Sequence, residues 1–176
     1  MKMRTIVKFI PLFLLLVVAA CHNPSQQEGS IDGKELKQSM ETANRYIVKD
    51  EETDIERYIS RHGLEMVSTG TGLRYVIHKQ GSDQKISEGQ TVTMEYVVHS
   101  ISGDVVYSSD NEGYKVFKVG YGQAESGLDE AVRYLHKGDV ATLILPSHLA
   151  YGLHGDDNKI PAYATLIYKI KIIDIQ

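Results

Sequence analysis

Residues Gly89 to Ser109 read GQTVTMEYVVHSISGDVVYSS, and this stretch decides the fold class. In its first half Val92, Met94, Tyr96 and Val98 are each separated by one residue. That spacing is the period of a β-strand with one buried face. The Ser-Gly-Asp that follows is a turn signal. The stretch therefore predicts a half-buried strand that ends at a tight turn.

The same period of two recurs on both sides of this strand, and glycine-containing turns separate the segments. The further predicted strands are built on these apolar residues: Leu73, Tyr75 and Ile77; Ala141, Leu143 and Leu145; and Leu166, Tyr168, Ile170 and Ile172, with Lys169 and Lys171 facing out. Strands in which apolar and polar residues alternate pack one face on a core, so another element of the chain must cover that face.

One short helix is predicted between the strands, from Leu128 to Lys137. Ser126 is its predicted N-cap and Gly138 its predicted C-cap, which are the residue types preferred at those positions. Strands, one helix and then more strands indicate an α+β fold, an antiparallel sheet wrapped on a helix.

Two short helices are predicted ahead of the sheet. The first covers residues 34 to 49, because apolar residues recur there at spacings of four, three and four. The second begins at a capping box formed by Thr53 and Glu56 and ends at Gly63. Their apolar positions are Leu36, Met40, Ala43 and Ile47 in the first helix, and Ile55, Tyr58 and Ile59 in the second. Neither has a cluster of catalytic side chains, so we expect packing or partner binding.

The N-terminus predicts a lipoprotein signal peptide over residues 1–20. A short basic segment is followed by twelve mostly apolar residues, Phe9 to Ala20. A helix that spans a membrane needs about 17 to 25 residues, so this segment is too short to be one. Val18-Ala19-Ala20-Cys21 resembles the lipobox of bacterial lipoproteins. The resemblance implies that Cys21 becomes the first residue and carries lipid, and several acyl chains together make a stable membrane anchor.

Residues 21–32 are polar and lack apolar periodicity, which predicts a flexible tether. We therefore expect a protein held by lipid at the cell envelope. His22 and Asn23 follow the cysteine in place of an acid, which by analogy with lipoprotein sorting favours the outer membrane, facing the periplasm. We expect a monomer, since two short helices are too little for long dimerising arms.

Composition excludes several classes of function. The 176 residues carry a formal net charge of −4, so the chain lacks the basic face that nucleic-acid binding requires. A single Cys forbids an intramolecular disulfide. The sequence has no HExxH, CxxC, GxSxG or Walker motif, so we expect no metal, no cofactor and no hydrolase chemistry. The histidines and acids between His148 and Asp157 lack a ligand spacing, which predicts a solvated loop.

Several linked motifs give a resemblance to a known family. The resemblance covers about residues 68–176. A predicted helical segment, residues 33–67, precedes this part of the chain. The fold that the resemblance implies is a twisted antiparallel sheet half-wrapped around a short α-helix. The motifs that resemble the FK506-binding-protein (FKBP) type of peptidyl-prolyl cis-trans isomerase are the stretch from Gly89, FKVG at Phe117, SGLDEAV at Ser126, KGDVATLILPSHLAYG at Lys137 and KIPAYATLIYKIKIIDI at Lys159. With its lipobox, the chain is most similar to lipoprotein isomerases of Bacteroidetes, including gliding-motility-associated ones.

The resemblance implies an enzyme that speeds rotation about Xaa-Pro bonds in proline-containing exported or envelope proteins. Such an enzyme needs an apolar pocket but no metal or covalent step, and macrolide inhibitors bind in that pocket. Two alternatives remain. One is a catalytically weak FKBP-fold chaperone or protein-binding module, and the other is a purely structural envelope lipoprotein.

The pocket residues carry over from the family position by position. Tyr96 and Phe117 match its aromatic walls, and Leu128 matches the floor, where the family usually has Trp. Tyr151, in the Ala-Tyr-Gly motif, matches the residue whose hydroxyl bonds the bound ligand. Ile160, before a proline, matches a residue of the flap. For each of these residues, packing in the sheet core is the alternative interpretation.

The remaining matches include departures from the family. Tyr168 stands where the family has Phe, and Ala124 with Glu125 aligns with a Val-Ile pair whose second residue offers a backbone N–H to a substrate carbonyl. Both interpretations stay open for Ala124 and Glu125. Val106 and Tyr107 replace a Phe-Asp pair, which removes an aromatic and the carboxylate that partners the wall tyrosine. We expect lower activity and weaker macrolide binding as a result.

Overall fold

The computed structural model describes residues 33–176. The predicted signal peptide and tether, residues 1–20 and 21–32, lie outside the described residues. Residues Glu41–Gln176 form one compact unit, and the first turns of the N-terminal helix belong to the other unit, Met1–Met40. Within the described part of the chain, no helix is both long and apolar enough to cross a membrane.

The two predicted N-terminal helices are one continuous helix, α1, Gly33–His62. The break predicted at Thr53 is wrong, because the Thr53 hydroxyl donates a 2.9 Å hydrogen bond back to the carbonyl of Lys49 and caps no new helix. Gly63 ends the helix as predicted. Its φ of +59° lies in the left-handed region that favours glycine at this position.

One antiparallel sheet contains all the strands of the described residues. They are β1 (Val67–Ser68), β2 (Arg74–Lys79), β3 (Thr91–Ser100), β4 (Val105–Ser108), β5 (Lys115–Lys118), β6 (Val140–Leu145) and β7 (Leu166–Ile175). Their order is β1-β2-β6-β7-β3-β4, and β5 also pairs with β3. The four predicted strands are present as β2, β3, β6 and β7. The short β1, β4 and β5 lack enough alternation to be predicted from their residues alone.

Three short helices connect the strands: α2 (Ser109–Glu112), α3 (Ser126–Val132) and a 3-10 helix (Ser147–Leu149). Helix α3 is shorter than predicted, because the chain after Val132 continues in turns with N–H groups bonded three residues back. Its N-cap is Glu125 and not Ser126. The Ser126 hydroxyl instead donates a 3.3 Å hydrogen bond to the carbonyl of Leu149.

One face of the sheet packs on α3 and forms the main core. Leu128, Ala131 and Val132 of the helix are fully buried against the apolar side chains of β3, β6 and β7. The close approach of α3 to β6 requires glycine at position 127, since a Cβ there would lie 2.8 Å from Leu145 Cγ. The alternating residues predicted to face the core do so, and Lys169 and Lys171 are exposed.

The other face of the sheet is covered by the second half of α1. Ile55 and Tyr58 are buried there against Ile144 of β6 and Ile167 of β7, which lie between the core-facing positions of those strands. Two residues of the predicted apolar stripe in the first half of the helix, Leu36 and Met40, are exposed. The sheet is therefore covered on both faces, by a short helix on one side and part of a long helix on the other.

Candidate active site

The structure brings nine of the ten predicted site residues together in one apolar cluster. Four are buried within it: Phe117, Leu128, Ile160 and Tyr168. Five are partly buried and packed against it: Tyr96, Val106, Tyr107, Ala124 and Tyr151. The partly buried set supplies three tyrosines, so the accessible side of the cluster is aromatic and carries hydroxyls.

Sheet register explains why residues distant in sequence meet here. Tyr96 of β3 lies opposite Ile170 of β7, and Phe117 of β5 lies opposite Val92 of β3. Tyr168 shares the face of Ile170, because residues two apart in a strand point the same way. The loop between the 3-10 helix and β7 adds Tyr151 and Ile160.

The tenth predicted residue, Glu125, places its carboxylate among these hydroxyls. Its Oε1 accepts a 2.6 Å hydrogen bond from the Tyr151 hydroxyl and a 2.9 Å bond from the Tyr168 hydroxyl. Lys115 Nζ donates to Oε2 at 2.7 Å and to Oε1 at 2.9 Å. Since only 5% of the Glu125 side chain is exposed, this is a nearly buried ion pair at the edge of the apolar cluster.

The pKa values of this network follow its hydrogen bonds. Burial alone would raise the pKa of Glu125, but the Lys115 ammonium and the Tyr151 hydroxyl outweigh it, so that pKa lies below its usual range. Burial, and then the bond to Glu125, raises the pKa of Tyr151. Burial and the nearby Glu125 charge also raise the pKa of Tyr168. The network therefore holds an ionised carboxylate and two protonated phenols.

The side-chain role of Glu125 was missed from the sequence, which suggested only a backbone N–H. One sequence feature could have pointed to it. Glu125 is an acid where the family has an apolar residue, and Lys115 lies ten residues before it, at the start of β5. A charge in an otherwise apolar motif requires a partner when it is buried.

Asp156 organises the loop between the 3-10 helix and β7. One of its carboxylate oxygens accepts the backbone N–H groups of Ile160 at 2.7 Å and Asn158 at 3.0 Å. Its other oxygen accepts the hydroxyl of Tyr107. Asp156 is partly exposed and its neighbour Asp157 is exposed, so the loop is solvated as predicted, but the bonding role of Asp156 was not predicted. Hydrogen bonds to residues distant in sequence cannot be seen in ligand spacing.

Lys159 completes this corner of the site. Its Nζ lies 4.6 Å from the centroid of the Tyr107 ring and 3.9 Å from a carboxylate oxygen of Glu112. A cation over an aromatic face is favourable at partly exposed sites. The loop that carries Ile160 is thus tied to β4 and α2 through Tyr107 and Glu112.

A groove of about 540 Å³ lies next to the cluster, between α1 and the loop before β7. Val106, Ile160 and Leu166 line its apolar side, and Asp50 and Asp54 of α1 line the other. Within residues 33–176, no three His, Cys, Asp or Glu side chains are grouped to hold a metal ion.

Comparison with known proteins agrees with this fold. Residues 82–173 match the model of the FKBP-type peptidyl-prolyl cis-trans isomerase family, which is more than half of the chain, and the chain belongs to that family. Its fold is the FKBP fold. The crystal structure of AtFKBP13 superposes with a TM-score of 0.60 at 27% sequence identity, covering 64% of this chain and 100% of that one.

Two relatives extend the comparison. The protein of Neisseria meningitidis serogroup B named "Probable FKBP-type peptidyl-prolyl cis-trans isomerase FkpA" is 30% identical over 165 residues, covering 82% of this chain and 60% of that protein. FK506-binding protein 2 of Kluyveromyces lactis is 38% identical over 94 residues, covering 52% of this chain and 67% of that protein. The chain thus spans less than two thirds of the Neisseria relative. The family resemblance found in the sequence is confirmed.

Proposed function

We propose that this chain accelerates cis–trans rotation about Xaa-Pro bonds in exported or envelope proteins. The observation that carries the proposal is the single apolar cluster in which the nine matched residues meet, drawn from four strands, α3 and two loops. Membership of the isomerase family supports the same reaction.

The mechanism follows from the physics of the prolyl amide. Rotation about a peptide bond must pass a barrier of about 18–20 kcal/mol, because the C–N bond loses its resonance when it twists. The planar amide is more dipolar and better hydrated than the twisted one. An apolar surface that excludes water therefore favours the twisted state over the planar ground state. Each reduction of the barrier by about 1.36 kcal/mol gives a tenfold rate.

Within this mechanism we assign contact with the proline to the apolar and aromatic residues. Phe117 and Leu128 would form the deep part of the pocket, and Tyr96 and Ile160 its sides. Tyr151 stands at the rim, where its ring covers the bound residue. We assign to the backbone N–H of Glu125 a hydrogen bond to a substrate carbonyl, with Ala124 beside it. No side chain in this scheme forms a covalent bond or takes a proton.

The departures from the family pattern have a structural consequence. Tyr107, which replaces the family's Asp, bonds Asp156, whereas the family's carboxylate would partner Tyr96. Leu128 is fully buried and is smaller than the usual Trp. We therefore propose an enzyme with a reshaped floor and lower activity than its relatives.

We further propose that lipid on Cys21 anchors the protein to the envelope, in the outer membrane facing the periplasm. Support comes only from the lipobox sequence and the polar tether after it. Metabolic labelling with a fatty acid tests the anchor, because Cys21→Ser should abolish incorporation. Labelling that persists in Cys21→Ser would refute it, and fractionation of labelled cells identifies the membrane.

A second candidate function is a chaperone or binding module with weak catalysis. It is favoured by one observation, the groove lined by Val106 and Ile160 on one side and by acids of α1 on the other. Such a groove could hold a polypeptide without any rotation of its prolyl bonds.

The decisive experiment measures cis–trans isomerisation of a short Xaa-Pro peptide with the full chain purified in detergent, with and without FK506. Acceleration that the macrolide inhibits supports the isomerase. No acceleration by chain that circular dichroism shows to be folded would support the binding module instead. The same chain is then tested for its ability to suppress aggregation of an unfolded protein. A binding module should suppress aggregation, whereas a purely structural lipoprotein should not.

A further inference from the structure

The hydroxyl protons of two pocket tyrosines are already donated within the protein. Tyr151 donates its proton to Glu125 at 2.6 Å, and Tyr168 donates its proton to the same carboxylate oxygen at 2.9 Å. A phenol has one proton and two lone pairs. In this arrangement both phenol oxygens therefore offer only lone pairs to anything else that binds nearby.

The carboxylate is held firmly in this position. Lys115 bonds both of its oxygens, and only 5% of the Glu125 side chain is exposed. Hydrogen bonds to an ionised acceptor are roughly twice as strong as bonds between neutral groups. A ligand carbonyl that competes for the Tyr151 proton thus offers a weaker acceptor than the one it would replace.

We propose that Glu125 is a specificity-determining residue that withholds the Tyr151 hydroxyl from carbonyl acceptors. This inference rests on the proposed function, since it concerns how the prolyl pocket selects its ligands. The pocket then binds proline residues through apolar and aromatic contact. It disfavours carbonyl-rich ligands, such as macrolides, that need a hydrogen bond from Tyr151.

The Lys115–Glu125 pair could instead serve only to stabilise the fold. The two roles differ in their dependence on Tyr151. If Glu125 acts by holding the Tyr151 proton, its replacement changes ligand affinity only while that hydroxyl is present. If it acts only on stability, its replacement has the same effect whether residue 151 is Tyr or Phe.

The test measures the affinity of the full chain for FK506, whose carbonyl oxygens are hydrogen-bond acceptors, by isothermal titration calorimetry. Glu125→Leu should bind FK506 about tenfold more tightly than the original chain, the equivalent of about 1.4 kcal/mol and near the low end for a bond to a charged group. Glu125→Gln, which still accepts a weaker bond, should show a smaller gain and serves where the Leu variant fails to fold. Glu88→Gln removes the same charge at an exposed position and should show no gain.

The same measurements in a Tyr151→Phe background complete the test. There the gain from Glu125→Leu or Glu125→Gln should disappear, because the Tyr151 hydroxyl is absent and Tyr168, whose hydroxyl also bonds Glu125, is only 2% exposed. A gain that persists with Phe, or no gain in either variant with Tyr, would overturn the inference. Peptide isomerisation by the unmodified chain is followed in parallel, so a failure of the proposed function is seen separately as a lack of acceleration.

Discussion

The carboxylate of Glu51, in the second half of α1, accepts a 2.6 Å hydrogen bond from the backbone N–H of Ser147, at the start of the 3-10 helix. A 2.6 Å bond from the hydroxyl of Thr165 reaches the same carboxylate. Ser147 and Thr165 are both buried, and they flank the loop that carries Tyr151 and Ile160. Helix α1 is therefore attached directly to both ends of the segment that contributes Tyr151 and Ile160 to the proposed pocket.

We expect Glu51→Ala to lower the free energy of unfolding by about 1–3 kcal/mol, because three buried donors on Ser147 and Thr165 lose their acceptor. Urea unfolding of the full chain measures the change. Glu65→Ala removes an exposed carboxylate near the end of α1 and is the matched control, with an expected change within about 0.5 kcal/mol. Equal effects of the two variants would contradict the attachment.

Ile55→Ala tests whether α1 is part of the folded core. Ile55 is fully buried against Ile144 and Ile167, so its truncation should cost about 2–5 kcal/mol of unfolding free energy. Val48, on the same helix, is 60% exposed, and Val48→Ala should change stability little. If Ile55→Ala unfolds with the original midpoint, the helix contributes no packing to the sheet.

Tyr151→Ala should reduce kcat/KM for an Xaa-Pro peptide by about tenfold or more without unfolding the domain, because the pocket loses the ring at its rim. Tyr121 is 59% exposed and lies outside the cluster, so Tyr121→Ala is the control. Circular dichroism confirms folding of both variants. Unchanged turnover in Tyr151→Ala would show that the pocket is assigned wrongly.

Asp156→Ala should release the loop before β7, since the N–H groups of Asn158 and Ile160 lose their acceptor. In the proposed mechanism that loop positions the substrate, so we expect KM to rise several-fold with a smaller change in kcat. Asp157→Asn alters the exposed neighbour and keeps a residue type that tolerates its φ of +58°. The loop assignment fails if both variants have the original KM.

The lowered pKa of Glu125 predicts how stability depends on pH. A carboxyl whose pKa is lower in the folded state stabilises the fold above its unfolded value, near 4.5, and loses that contribution as the pH falls through the folded pKa. Unfolding free energy should therefore decrease below about pH 4.5. In Glu125→Gln the decrease should be smaller. The part that remains comes from other carboxyls whose pKa is lowered in the fold, such as Asp174, which is bonded by Lys137. Parallel pH profiles in the two proteins would contradict this origin.

Much of the sheet could be predicted because its cause is local. Alternation in β3 and β7 reports which face of a strand is buried, and a turn residue reports where it ends. The helix break predicted at Thr53 was wrong because that prediction used only local sequence. A threonine and a glutamate three residues apart are compatible with a cap, but whether the helix continues depends on the sheet on which Ile55 and Tyr58 pack.

The candidate site was predicted less completely than the fold. Motif order identified the apolar residues, and the structure places them in one cluster. The partners of Glu125 and Asp156 were not predicted, because hydrogen bonds across the fold leave no periodic trace in the chain. Lys115, Tyr151 and Tyr168 come from three separate elements before they meet one carboxylate.

The sequence by itself determined the family, the strands that carry the core and the nine residues that meet in the apolar cluster. Those features follow from periodicity and from motifs that are contiguous in the chain. Only the tertiary structure decided that α1 is one helix that covers one face of the sheet, and that the Glu125 carboxylate accepts a hydrogen bond from the Tyr151 hydroxyl. Both outcomes depend on burial and on hydrogen bonds between distant segments, which arise only when the sheet brings those segments together.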